Sequence, residues 1–165
     1  MGQSEFTRHE EVSARLKARS EDVFAFLDDH HSLAAHMGAG SSPMMGGGSM
    51  TLDLDAGGGR EVGSHIRMSG SAFGFRIDVD EVVTQRDPPH AKSWRTVDAR
   101  LVVIGDYSMG FVTTSAAAES LLTVWIDYAL PRRNKWLGIL GGRLYARWCV
   151  RQMRDAASAR FSASR

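Results

Sequence analysis

Three histidines in the stretch HHSLAAH, His30, His31 and His36, carry the donor atoms to hold a metal ion or move a proton. Their spacing argues against a metal. His31 and His36 are five apart, so a helix does not set them on one face, and no H-E-x-x-H pattern occurs. They read as capping or surface residues. Two aspartate pairs lie further along, Asp53 with Asp55 and Asp78 with Asp80. Each pair alternates with apolar residues, so both carboxylates share the strand face opposite the apolar one. That puts them in water rather than around a substrate as an acid–base pair. Cys149 sits in an apolar helical stretch and reads as an inert buried thiol. GAGSSPMMGGG lacks the lysine and spacing of a phosphate-binding loop, and GGGR lacks the strand-to-helix context of a dinucleotide fingerprint. No catalytic residue is assigned on these grounds, and neither a metal nor a cofactor is expected.

The chain that must position any site is 165 residues long, which fits one domain over 1–165 with a sizeable core. Hydrophobic residues at 43% and charged residues at 24% are ordinary for a globular protein. One cysteine allows no internal disulfide and suits a reducing compartment. MGQSEFTRHEEV lacks the basic start and apolar run of a signal peptide. Arg143 and Arg147 interrupt the one stretch greasy enough to suggest a membrane span. A cytoplasmic protein is expected. The net charge of +1 conceals an asymmetry: from Pro131 onward there are nine Lys or Arg and one acid, Asp155. Such an end either docks on the acidic body, is simply solvated, or faces anionic lipid. The basic residues are not interleaved with aromatics on an exposed sheet, so nucleic acid is not an expected partner.

Periodicity gives the elements. Val12, Ala14 and Leu16 alternate with polar residues as a half-buried strand. Ser20, Glu21 and Asp22 open a short helix through Val23, Phe24 and Leu27, and a second short helix is expected over 31–37. The dozen residues GAGSSPMMGGGS are loop by composition. From Met50 the period becomes two, in six runs that end at Pro131, separated by turns such as GGG at 57–59 and DPP at 87–89. Runs of this kind without intervening helices predict an antiparallel meander. A final helix of about 27 residues, near 40 Å long, spans roughly 134–160. Leu137, Leu140, Leu144 and Trp148 share one stripe of it. Gly138, Gly142, Cys149, Met153 and Ala156 lie beside that stripe, and Arg143, Arg147 and Arg154 form a solvent stripe. Gly138, Gly141 and Gly142 each cost roughly 0.5–1 kcal/mol relative to alanine there, so they need close backbone approach or space left for something else.

This order, with segments such as VFAFLDDHHSLAAHM, IDVDEVVTQRDPP, DYSMGFVTT and DYALP leading into LYARWCVRQM, resembles the START-like and birch-pollen-allergen-like superfamily, also called SRPBCC or polyketide cyclase-like. The resemblance covers nearly the whole chain. It implies an α+β helix-grip fold, in which a curved seven-stranded antiparallel sheet wraps the long C-terminal helix around a deep apolar cavity. Taken one face at a time, the strands put Leu52, Met68, Ile77, Trp94, Tyr107, Met109, Phe111, Val124, Ile126 and Tyr128 on the concave side. Leu140 and Leu144 of the helix and Met37 at the mouth complete the expected lining, and the helix glycines keep the helix thin at one end. The implied function is binding or transport of a hydrophobic small molecule, such as a lipid, isoprenoid or aromatic polyketide. The alternative is a cyclase-like enzyme, for which Tyr107, Tyr128 and Trp94 are the candidate proton donors, with His36 at the mouth. Arg132, Arg133, Lys135 and Trp136 in LPRRNKW further suggest weak peripheral contact with an anionic membrane.

Overall fold

Alternation of apolar and polar side chains organises seven segments of the chain into strands. The computed structural model describes residues 6–31, 50–72 and 75–162. Strand β1 (Arg8–Leu16) leads into helix α1 (Ser20–Asp28). Strands β2 (Met50–Leu54), β3 (His65–Ala72), β4 (Phe75–Asp87), β5 (Ala91–Arg100), β6 (Tyr107–Ala116) and β7 (Glu119–Tyr128) come next, and then helix α2 (Lys135–Ser162). All neighbouring strands are antiparallel, in the order β1-β7-β6-β5-β4-β3-β2. The meander is as the periodicity predicts, with β1 closing on β7. This is the helix-grip arrangement: a curved seven-stranded sheet and one long C-terminal helix. Helical backbone resumes at His30 and His31. The rest of the second helix expected over 31–37, with His36 and Met37, lies outside the described residues.

Two irregularities in β4 and β5 decide which side chains face inward. Asp80 pairs with Asp98 and Glu81 with Thr96, which leaves Val97 as a bulge. Val83 pairs with Trp94 and Gln85 with Ser93, which leaves Thr84 as another. Such extra residues bend a sheet and re-aim the side chains beyond them. Ile77, Val79, Glu81 and Val83 all point inward and are buried. Past the Thr84 bulge the phase shifts, so Arg86 pairs with Lys92 on that same inner face.

The core lies between the inner face of the sheet, α1 and α2. It joins Leu16, Phe24, Leu27, Phe111, Leu122, Val124 and Ile126 to Ala146, Val150, Met153 and Ala157 of α2. Phe24 of α1 packs on Phe111 of β6 with ring centroids 5.5 Å apart. The residue spacing on α2 explains the glycines. Its buried stripe is Gly138, Gly142, Ala146, Val150, Met153 and Ala157. A methyl group on Gly142 would come within 2.9 Å of the Val103 carbonyl oxygen, and one on Gly138 would run into the Pro131 ring. Gly138 and Gly142 therefore serve close approach at the start of α2 rather than opening a space there.

That packing corrects the expectation for the leucines. Leu140 and Leu144 are 76% and 61% exposed. The helix turns its small stripe to the protein, so Leu140 and Leu144 point outward while Leu137 and Trp148 stay half-buried. Nor is the arginine repeat merely solvated. Arg143 and Arg147 reach the two carboxylate oxygens of Glu10 at 2.8 and 3.0 Å and tie α2 to β1.

Candidate functional site

Between the sheet and α2, the apolar inner face is broken by a polar cluster. Glu81 of β4 is 3% exposed, Trp94 of β5 and Tyr107 of β6 are also buried, and all three converge. The Tyr107 hydroxyl donates to Glu81 Oε1, and the Trp94 indole N–H donates to the same carboxyl group. Burial pushes the Glu81 carboxyl up, Asp80 adds to the effect, and the two donors only partly offset it, leaving a pKa of about 7. Among the described residues, the groups acting on it include no cation. Burial and the neighbouring Glu81 hold the Tyr107 hydroxyl well above its ordinary value. Tyr145 and Cys149 of α2, both half-buried, face this group from the other side. Burial pushes the Cys149 thiol to about 12, so it is no nucleophile at neutral pH. Met68 and Met109 are half-buried against the same core.

A second buried polar group sits beside the first, across the Trp94 ring. Lys92 is 1% exposed. Its ammonium donates to Asp28 Oδ1 at 2.6 Å, to the Gly59 carbonyl at 2.6 Å and to His30 Nε2 at 3.0 Å. Three donors meet three acceptors, which requires His30 to be neutral with its proton on Nδ1. Burial and then the Lys92 charge lower the His30 pKa to about 4, in agreement with a neutral ring. Arg86 closes the group, donating to Asp28 Oδ2 at 2.8 Å. Burial raises the Asp28 carboxyl, but the hydrogen bonds and charges of Arg86 and Lys92 outweigh it, and the net shift is downward. The His30 ring stands edge-on to Trp94, with centroids 6.0 Å apart. His30 is thus a core acceptor rather than a capping or surface residue, whereas His31 is exposed.

The expected lining divides accordingly. Ile77, Trp94, Tyr107, Phe111, Val124, Ile126 and Tyr128 are buried on the inner face, with Leu52, Met68 and Met109 half-buried. Only Trp94 and Tyr107 among them join the polar group. Tyr128 packs under Gly142 at the start of α2, apart from Glu81. Leu140 and Leu144 do not belong to the lining, and Met37 is outside the described residues. Sequence reasoning missed Glu81, although it continues the alternation of Ile77 and Val79. It also missed Asp28, Arg86 and Lys92. The aspartates at 78 and 80 are on the outer face as expected, where Asp78 pairs with Arg76 at 2.9 Å and Asp80 with His65 at 2.8 Å. A groove of about 600 Å³ on that outer face is lined by these aspartates with Asp53, Arg67, Arg76 and Arg100. Two of its cations already have carboxylate partners, Arg67 with Asp80 across strands at 3.6 Å and Arg76 with Asp78 within β4, so the inner group is the better candidate. Among the described residues, no group of three or more His, Cys, Asp or Glu could hold a metal ion, and no helix is long and apolar enough to cross a membrane.

Solved structures with the same architecture are numerous. The chain superposes on norcoclaurine synthase from Thalictrum flavum with a TM-score of 0.66 at 14% identity, covering 92% of this chain and 84% of that one. A Chromobacterium violaceum protein gives 0.65 at 14% identity, with 94% and 98% covered. Ginseng major latex-like protein 151 from Panax ginseng gives 0.60 at 13% identity, with 94% and 98% covered. At these identities the likeness concerns the fold alone. No curated protein matches the chain in sequence. The family model described as polyketide cyclase / dehydrase and lipid transport matches residues 7–161, nearly the full length, and the chain belongs to that family.

Proposed function

We propose that this protein binds a hydrophobic small molecule between the curved sheet and α2, with the polar end of that molecule at Glu81 and Tyr107. The observation that carries this reading is a buried carboxyl, without a counter-cation among the described residues, set in an apolar interior and held by neutral donors. A carboxyl poised near pH 7 offers a ligand a hydrogen-bond donor when protonated and an acceptor when not. The methionines at 68 and 109 supply adaptable apolar surface around it. Lipids, isoprenoids and aromatic polyketides bearing a hydroxyl or carbonyl group fit this chemistry. The family description, which includes lipid transport, supports the same reading. Native mass spectrometry of the purified protein, with organic extraction of whatever it retains, tests it. A retained apolar molecule that is lost in Glu81→Gln or Tyr107→Phe is expected. Failure to retain or bind any apolar compound would count against binding.

One observation favours a second reading, cyclase-like catalysis. A carboxyl near pH 7 is matched to general acid–base work at neutral pH, and it already contacts a tyrosine hydroxyl. In that reading the ionised Glu81 takes a proton from a carbon next to a carbonyl group of the bound polyketone, leaving an enolate, and Tyr107 turns its one hydroxyl hydrogen from Glu81 to the enolate oxygen. Turnover of a polyketone, abolished by Glu81→Gln, would move the assignment from carrier to enzyme.

A further inference from the structure

The outer face of α2 carries an apolar stripe that the interior does not use. Trp136, Ile139, Leu140 and Leu144 are all at least 60% exposed. They lie at i, i+3, i+4 and i+8, so they share one side of the helix. Cations rim this side. Arg132, Arg133 and Lys135 precede or open the helix and are all exposed, the Arg132 side chain by 90%. Arg143 lies within the stripe while its guanidinium reaches back to Glu10. The first turn holds no acidic residue. Cations at a helix N-terminus oppose its dipole, so helix stability does not explain them.

We propose that this face docks the protein on the anionic surface of a lipid bilayer. Charge decides the partner: Arg133 and Lys135 stand exposed beside the stripe, with Arg132, whose 90% exposed side chain pairs with Asp106 only at 3.8 Å. The side-chain types agree. A tryptophan at the end of an exposed leucine and isoleucine stripe suits the headgroup boundary, where an amphipathic helix buries its apolar face about 5–10 Å deep. A protein partner fits less well, because four apolar side chains over two turns are few beside the roughly 20–30 residues per side of a standard interface. Helix α2 would lie along the bilayer plane, with the sheet held away from it. Three rim cations at about fivefold affinity each give reversible attachment, not anchoring.

Flotation with vesicles of phosphatidylcholine, alone or mixed with phosphatidylglycerol, tests the proposal at low and high salt. Binding is expected to the mixed vesicles only, and to fall as salt rises. Two variants separate the contributions. Arg133→Glu with Lys135→Glu should weaken binding about 20-fold or more, and Leu140→Asn with Leu144→Asn should abolish it. Because all four side chains are exposed, an unchanged thermal melt is expected for both variants. Equal binding to both vesicle types, no binding to either, or no loss in the variants would overturn the proposal. So would a concentration-dependent dimer in light scattering that Leu140→Asn with Leu144→Asn dissociates, which would assign the face to a second copy of the chain.

Discussion

The two buried polar groups flanking Trp94 are built from similar materials and arranged to opposite ends. Around Lys92, the charges have partners and the ammonium donors have acceptors, with Asp28, Arg86, His30 and the Gly59 carbonyl held in place. This group ties the end of α1 and the loop at Gly59 to β4 and β5. Around Glu81 the carboxyl meets neutral donors and keeps a pKa near 7. A closed ionic group spends its hydrogen bonds on the scaffold. An open one retains a proton equilibrium that a ligand can use. On the proposed reading the Lys92 group is support and the Glu81 group is the site.

The strongest test of that division is Lys92→Met. It leaves Asp28 with Arg86 alone and strands the Gly59 carbonyl and His30 Nε2 in the interior, so a loss of about 3–5 kcal/mol is expected in urea unfolding. A loss below about 1 kcal/mol, the range of exposed pairs, would mean the group is not closed.

The groups should also oppose each other as pH changes. Glu81 has a raised pKa, so its contribution is complete below 4.5 and is lost as pH rises toward about 7. His30 has a depressed pKa, so its contribution is complete above 6.5 and is lost as pH falls toward about 4. Between 4.5 and 6.5 the two slopes offset, and wild-type stability should be nearly flat. Glu81→Gln removes one slope. It should match wild type near about pH 5, exceed it by on the order of 2 kcal/mol at about pH 8, and expose the His30 slope on the acid side. Parallel stability curves for the two proteins would refute the raised Glu81 pKa.

A smaller effect distinguishes the helix glycines. At Gly142 an added methyl meets the Val103 carbonyl oxygen at 2.9 Å, whereas at Gly141 it meets a Val103 methyl at 3.4 Å. Gly142→Ala should destabilise by about 1–2 kcal/mol. Gly141→Ala should stabilise by roughly 0.5 kcal/mol through helix propensity. Equal signs in thermal melts would remove close approach as the reason for the glycine pair.

Legibility in the sequence obeyed the same physics. Strands with strict alternation, such as Val124, Ile126 and Tyr128, announce their inner face, and the element order announces the fold. The site was half legible. Trp94 and Tyr107 stand in phase with apolar neighbours, and so does Glu81, but its charge reads as a solvent residue when burial is unknown. Arg86 was hidden for a different reason: the Thr84 bulge breaks the period, and no local pattern marks a bulge. Lys92 and Asp28 lie 64 positions apart, so their pairing belongs to tertiary structure alone. On α2, the leucines looked like core because they are larger than the glycines. Packing inverted that order, since close contact with Val103 and Pro131 favours the smallest side chains.

The central claim, that Glu81 meets the ligand, is tested most directly by the pH dependence of apolar-anion binding. The fluorescent probe anilinonaphthalene sulfonate carries an aromatic body and one negative charge, which an ionised Glu81 should repel. Its affinity for wild type is expected to fall about tenfold between about pH 6 and pH 8, a difference of about 1.4 kcal/mol. Glu81→Gln should bind it equally at both pH values. The same pH profile in wild type and Glu81→Gln would contradict the account.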